Sequence, residues 1–215
     1  MGERKLEKGS EPVELVAADL PEAVETLASA FRDNPLNVAV IGEPARRRIR
    51  ANRAGNRASL SAIHGVGLCL GIWAPSAGRD GRSVLAGVLV AEPPGVHPLP
   101  SPAVSTQLRV LWKQGWRVAT GWSEVHFELE SRHPREPHWV LDMLGVAPEF
   151  QGRGIGTALL QALHERVDAE PTPSYLETDR EENVAFYGRA SYTVLTEERI
   201  VGVPVWRMWR EPQSR

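Results

Sequence analysis

The chain has 215 residues, enough for one domain with a sizeable core, and its 42% hydrophobic and 24% charged content is that of an ordinary globular protein. With 25 basic against 27 acidic residues there is no global basic field to draw nucleic acid. The single cysteine, Cys69 in the apolar run VGLCLGIW, excludes an internal disulfide framework and reads as a small packed hydrophobe.

The opening MGERKLEKGSEP is charged and has no apolar stretch, so residues 1–12 read as a flexible tail ahead of a single domain over 13–212. No run approaches the length of a membrane span, and a cytoplasmic location is the default expectation. VELVAA reads as a first strand and DLPEAVETLASAF as a helix, with Asp19 and Glu22 spaced as a capping box and Pro21 tolerated in the first turn. RDNP ends that helix. PARRRIRANRAGNRASLSAIHG is a second helical pattern whose arginines read as a solvated face. GLCLGIWAP and SVLAGVLVAEPP flank the turn SAGRDGR as a hairpin.

Beyond the Pro-rich EPPGVHPLPSP, residues 101–133 read as a helical insertion between the third and fourth strands, carrying Trp112, Trp116 and Trp122. HWVLDMLGV is an apolar strand, residues 152–169 a helix, SYLET a strand and EENVAFYGRA a short helix; YTVLTEERI and VPVWRMW pair as a closing hairpin. Alternating strands and helices make this an α/β arrangement.

The most specific stretch is GVAPEFQGRGIGTALLQALHERV, residues 145–167. Ile155, Leu159, Leu163 and Val167 form one apolar stripe, so the helix begins within the glycines. The first N–H groups of a helix lack intrahelical acceptors, and the macrodipole adds partial positive charge there, which together suit an anion. Gly152, Gly154 and Gly156 admit a phosphate close to the backbone, and Arg153 can add a charge-assisted bond. A P-loop would need Gly-Lys-Ser/Thr, which does not occur, and a dinucleotide fingerprint needs G-x-G-x-x-G where this run reads G-x-G-x-G.

Gln151 to Gly156 match the Q-x-x-G-x-G pyrophosphate loop of the GNAT superfamily of acyl-CoA-dependent N-acetyltransferases. LGVAP resembles that family's fourth strand, and NVAFYGRASY resembles its short helix bearing an Asn and, four residues on, a Tyr. In motif detail the resemblance is closest to puromycin N-acetyltransferase-like proteins, through AFRDNP, PREPHWVL, LGVAPEFQGRGIG and YLETDREENVAFYGR.

The resemblance implies an α/β (α+β) GNAT fold: a central mixed, mostly antiparallel sheet splayed between its fourth and fifth strands, with helices on both faces. It implies acetyl-CoA as co-substrate and no metal. The pantetheine arm would pair with Leu144, Gly145 and Val146. The pyrophosphate would sit on the amides of Gln151, Gly152, Arg153, Gly154, Ile155, Gly156 and Thr157, with Asn183 as a further contact. Tyr187 matches the general acid, and a phenol does hold its proton at neutral pH for delivery to a leaving thiolate.

Asp142 stands where some relatives place an acid that serves as base or holds the acceptor, although a bulge would reverse its facing. His138, Glu177, Glu128 and His126 are lesser candidates. One departure is that Ala190 and Ser191 replace a large apolar residue and a glycine, so Ser191 must either adopt the left-handed conformation or end the helix differently.

The expected activity is direct transfer of an acetyl group to a primary amine of a small molecule in a ternary complex, of the kind seen in antibiotic resistance. A non-catalytic acyl-CoA-sensing module and a protein lysine or N-terminal acetyltransferase are the alternatives. The expected partner is the small amine acceptor, with no nucleic acid and no membrane, and homodimerisation is left open. Acceptor specificity is expected from AFRDNP onward and from residues 101–133, with Trp73, Trp112, Trp116 and Trp122 as candidates for an aromatic pocket.

Overall fold

The computed structural model describes residues 11–76, 82–97, 111–112 and 115–213. Among these, seven strands form one sheet: β1 Val13–Glu14, β2 Leu68–Pro75, β3 Ser83–Glu92, β4 Trp139–Val146, β5 Ser174–Thr178, β6 Thr193–Ile200 and β7 Val203–Arg210. The strand order is β1-β2-β3-β4-β5-β7-β6, antiparallel at every junction except the parallel β4–β5 pair. The described α-helices are α1 Leu20–Ala30, α2 Pro35–Ile41, α3 Ala45–Ile63, α4 Trp116–Ser131, α5 Ile155–Ala169 and α6 Glu181–Arg189. None is long and apolar enough to cross a membrane.

Two cores lie on opposite faces of the sheet. On one, the α5 stripe of Ile155, Leu159, Leu163 and Val167 packs with Leu70, Ile72, Leu89, Leu141, Leu176 and Met208. On the other, Val24 and Leu27 of α1 and Leu60 and Ile63 of α3 pack with Cys69, Val88, Val90 and Met143. Each such large side chain, fully buried, contributes about 1.5–3 kcal/mol of transfer free energy. Cys69 is 3% exposed and burial pushes its thiol up to about 11, which fits a packing role.

Three local readings change. The Asp19–Glu22 pair is not a capping box: Asp19 Oδ2 accepts from Val16 N–H at 2.9 Å and Glu22 Oε1 accepts from Leu85 N–H at 2.9 Å, while Thr26 Oγ1 donates to Leu85 O at 2.7 Å. Glu22 and Thr26 thus tie α1 to β3, satisfying both polar groups of Leu85, which lies beside a register shift. The short α2 was not foreseen; Pro35 opens it, and Asp179 at the end of β5 accepts from Leu36 N–H at 2.9 Å. Finally, the arginines of α3 are not all solvated. Arg48 is buried, bonded to Asp33 at 2.8 Å, Glu43 at 2.7 Å and the carbonyl of Arg32 at 2.7 Å, and so fixes the α1–α2 turn.

Of the insertion, α4 is described, whereas residues 98–110 and 113–114 lie outside the described residues.

At the end of α6, Ser191 does take the left-handed conformation, with φ +69°. Its N–H donates to Gly188 O at 3.1 Å and Tyr192 N–H to Tyr187 O at 3.1 Å, a Schellman closure accompanied by contact between the Tyr187 and Tyr192 rings, 5.8 Å apart. A serine there carries a steric cost that glycine avoids, partly offset by glycine's greater freedom in the unfolded chain. Ser191→Gly is therefore expected to stabilise the fold by about 0.5–1 kcal/mol, read as a higher urea midpoint at unchanged slope. An unchanged or lower midpoint would contradict this account of the helix end.

Candidate active site

The site is built around a divergence of two strands. β4 and β5 pair only through Trp139–Leu141 opposite Ser174–Leu176, whereas β4 remains paired with β3 as far as Val146. Ala147 N–H donates to Ala86 O at 2.9 Å, toward β3. Backbone polar groups alternate along a strand, so those of Val146 and Leu144 face the opposite edge, into the gap. The Val146 carbonyl there accepts from Gln151 Nε2 at 3.1 Å. The loop glutamine therefore pins the end of the strand to the glycine turn, a role that the motif alone did not reveal. Gly145 has a packing role, since a Cβ would come within 2.8 Å of Leu27 on α1.

Beyond β4, a 3-10 turn over Pro148–Phe150 buries Phe150 and leads into the glycine loop. Gly152 and Gly154 have φ of +72° and +83°, and Gly154 is the residue from which α5 starts. The helix begins three residues later than the expected 152. Ala158 N–H donates to Gly154 O at 3.0 Å, so the amides of Ile155, Gly156 and Thr157 precede the first N–H that has an intrahelical acceptor. The Ile155 side chain is buried in the core and offers the site only its backbone. Arg153 is exposed, donating to Glu149 O at 3.0 Å with its guanidinium 5.2 Å from the Phe150 ring.

The gap opens into a cleft of about 260 Å³ whose walls come from α2 and the turn before it (Phe31, Asn34, Leu36), from α4 (Trp122, His126, Glu130) and from β4, β5 and α6. Both sequence-predicted residues of α6 are here. Asn183 Nδ2 donates to Thr178 Oγ1 at 3.1 Å, while Tyr187 is buried between Phe186 and Tyr192, and burial holds its phenol above the usual range, hence protonated.

Asp142 also lines the cleft. It is the residue skipped where β3 and β4 shift register, with Leu141 opposite Ala91 and Met143 opposite Val90; the facing left open by the sequence is thus set by a bulge, and Asp142 lines the cleft. Its accessible surface faces this cleft, where desolvation first, then the charges of Glu92 and Glu177, push the carboxyl up to about 7, with His97 opposing.

Among the described residues the cleft lining holds five carboxylates (Glu92, Glu130, Asp142, Glu177 and Asp179) and neither lysine nor arginine. Some are occupied. His97 bridges Glu92 at 2.9 Å and Glu130 at 3.2 Å; the Glu92 bond chiefly raises its pKa, against the cost of burial. The His133 ring stacks on His97 at 3.9 Å, and burial, then His97 and His138, lower its pKa to about 3. His138 lies behind, its Nε2 3.0 Å from that of His133.

His97, His133, Glu92 and Glu130 were missed in the sequence because they come from separate segments; the only hints were a glutamate ending a strand and a histidine five residues on. Of the tryptophans, Trp122 lines the cleft. Trp73 packs in the α1 core, and Trp112 and Trp116 are 83% and 73% exposed, so no four-tryptophan pocket forms. Glu128 is not in the cleft; its carbonyl accepts from Arg207 at 2.9 Å.

Residues 109–192 match the family model for the acetyltransferase (GNAT) family. Solved structures with similar folds include a histone acetyltransferase HPA2 and related acetyltransferase from Corynebacterium glutamicum (TM-score 0.70, 20% identity, 96% of this chain and 98% of that one). Another is the polyamine N-acetyltransferase of Drosophila melanogaster, which forms N-acetylagmatine (0.64, 15%, 93% and 98%). A third is PaiA N-acetyltransferase from Thermoplasma acidophilum in complex with coenzyme A (0.54, 15%, 94% and 98%). The fold is the mixed α/β GNAT fold, with its sheet opening after the parallel β4–β5 contact.

Asp142 gives a signed pH test. A carboxyl whose pKa is raised on folding binds more protons folded than unfolded, so its contribution to stability falls as pH rises from about 4 to about 7. Asp142→Asn removes that loss. The variant is expected to gain stability relative to the unaltered chain as pH rises through this window, in urea unfolding at pH 4, 6 and 8. A difference that does not vary with pH would contradict the placement of Asp142.

Proposed function

We propose that this protein transfers an acetyl group from acetyl-CoA to the amine of a small, positively charged acceptor, directly within a ternary complex. The observation that carries the reading is the unpaired β4 edge, flanked at one end by the glycine loop and opening at the other onto Tyr187 and Asp142. The family match and the fold support it.

The residues fit the co-substrate. The amides over 152–157, at the positive end of α5, suit a pyrophosphate, and the free groups of Leu144 and the Val146 N–H suit the amides of a pantetheine arm. Asn183 stands beside the gap. At the reacting centre, Asp142 takes a proton from the acceptor ammonium, freeing the nitrogen lone pair to attack the thioester carbonyl. The C–N bond forms, the C–S bond breaks, and Tyr187 gives its proton to the departing sulfur, whose conjugate acid has a pKa near about 8.5. The nitrogen loses two protons in all and sulfur receives one, so one proton is released per turnover.

The acidic cleft lining favours a cationic acceptor, and its roof of α2 and α4 favours a small molecule over an extended peptide. One fold neighbour is a polyamine N-acetyltransferase, which is compatible with this electrostatic character. The motif likeness to puromycin N-acetyltransferase-like proteins adds aminonucleosides to the acceptors worth assaying.

The test is CoA thiol release from acetyl-CoA across alkylamines, polyamines, aminonucleosides, aminoglycosides and lysine peptides. Release dependent on a small amine is expected; none with any amine, despite acetyl-CoA binding, would favour a sensing module. Tyr187→Phe is expected to lower kcat by about 10²-fold with CoA affinity little changed. Gly154→Val, which forces a β-branched residue to positive φ, is expected to weaken CoA binding about tenfold or more by calorimetry. Equal turnover in the first variant would remove Tyr187 as the acid, and undiminished affinity in the second would remove the loop as the anion site.

A further inference from the structure

Direct transfer to an ammonium sets two tasks that suit different carboxylates. One must accept a proton near the working pH. The other must hold the charged amine in place without taking its proton. Asp142, displaced to a bulge and with no protein hydrogen bond to its carboxylate among the described residues, is suited to the first.

Glu177 has the opposite character. It stands on β5 across the gap, two residues from Tyr175 and so on the same face of the strand. Its Oε1 accepts from the Tyr175 hydroxyl at 2.6 Å and lies 3.7 Å from Arg207 Nε. Both anchors are themselves fixed. Tyr175 is 1% exposed, and Arg207 is 3% exposed, in contact with Glu198 at 2.7 Å and donating to the Glu128 carbonyl at 2.9 Å. The second oxygen, Oε2, has no protein hydrogen bond among the described residues, and Glu177 lines the cleft. Burial raises its pKa, opposed by the Tyr175 bond and by Arg207; a bound ammonium would oppose it further.

We propose that Glu177, anchored by Tyr175 and Arg207, grips the acceptor ammonium and sets a preference for charged amines, leaving Asp142 to take the proton. This rests on the acetyltransferase reading above. Glu177 is thus a specificity-determining residue, while Tyr175 and Arg207 position it. Holding the cation at a side chain fixed by the Tyr175 hydrogen bond and flanked by Arg207 places the nitrogen without a large loss of side-chain freedom on binding.

The experiment compares two acceptors of matched shape: the best alkylamine from the release assay, charged at the assay pH, and the corresponding alkoxyamine, neutral at that pH. For Glu177→Gln, which keeps the shape, KM for the alkylamine is expected to rise about tenfold or more. Its kcat should stay within about threefold, and KM for the alkoxyamine and for acetyl-CoA should stay unchanged. Tyr175→Phe should shift the alkylamine KM the same way by less, and it serves as the test should the first variant fail to fold. Equal KM increases for both acceptors would reduce Glu177 to a structural role. A fall in kcat at unchanged KM would make it the base, and no change would remove it from the site; each overturns the proposal. If the unaltered protein releases no CoA with any amine, it is the acetyltransferase reading that fails, and the proposal with it.

Discussion

The arrangement of the site depends on one break in hydrogen bonding: β4 has a partner on one edge along its length and on the other only as far as Leu141. Backbone N–H and C=O groups that face a gap must find acceptors and donors elsewhere. The protein meets part of this need itself, by bringing Gln151 back to the Val146 carbonyl. The remaining groups at Leu144 and Val146 form a short strand edge that an extended amide-bearing chain can complete. On the far side of the gap, the end of β5 is tied to its neighbours: Asp179, just past β5, accepts from Leu36 N–H of α2, and Thr178 accepts from Asn183 of α6.

Electrostatics then separates the two ends of the gap. At one end, the start of α5 presents unpaired amides and the positive end of a 15-residue helix dipole. At the other, the carboxylates of β3, α4, β4 and β5 converge without an arginine or lysine among the lining residues described. Under the proposed function, an anionic co-substrate and a cationic acceptor would enter from opposite ends and meet between Asp142 and Tyr187. Desolvation acts on both groups in the same sense, raising the Asp142 carboxyl and keeping the Tyr187 phenol protonated.

The parts legible in the sequence are those whose signal is local. SYLET matches β5 residue for residue, the stripe from Ile155 to Val167 is that of α5, and of the two outcomes open to Ser191, the left-handed conformation or a different helix end, the structure has the first. Misreadings arose where a side chain serves a distant partner. Asp19 and Glu22 have capping spacing, yet the glutamate is used by Leu85, 63 positions away. Arg48 sits in a run of arginines that otherwise reads as solvent-facing, and only the fold shows that its neighbours are Asp33 and Glu43. Helix α2, seven residues with two valines and an isoleucine, has poor intrinsic propensity and is held by tertiary contacts instead. The histidine–carboxylate wall joins residues 92–97 to residues 130–138 through rings that stack only in the folded chain, which no spacing rule encodes.

The central claim is that the open edge of β4 and the turn after it receive CoA. Amide hydrogen exchange with and without saturating CoA tests it at residue resolution. The account predicts that binding slows exchange at Leu144 and Val146 and through the amides of residues 152–157, with little change on the distant β6–β7 hairpin. Binding confirmed by calorimetry with no slowing in either segment would contradict it.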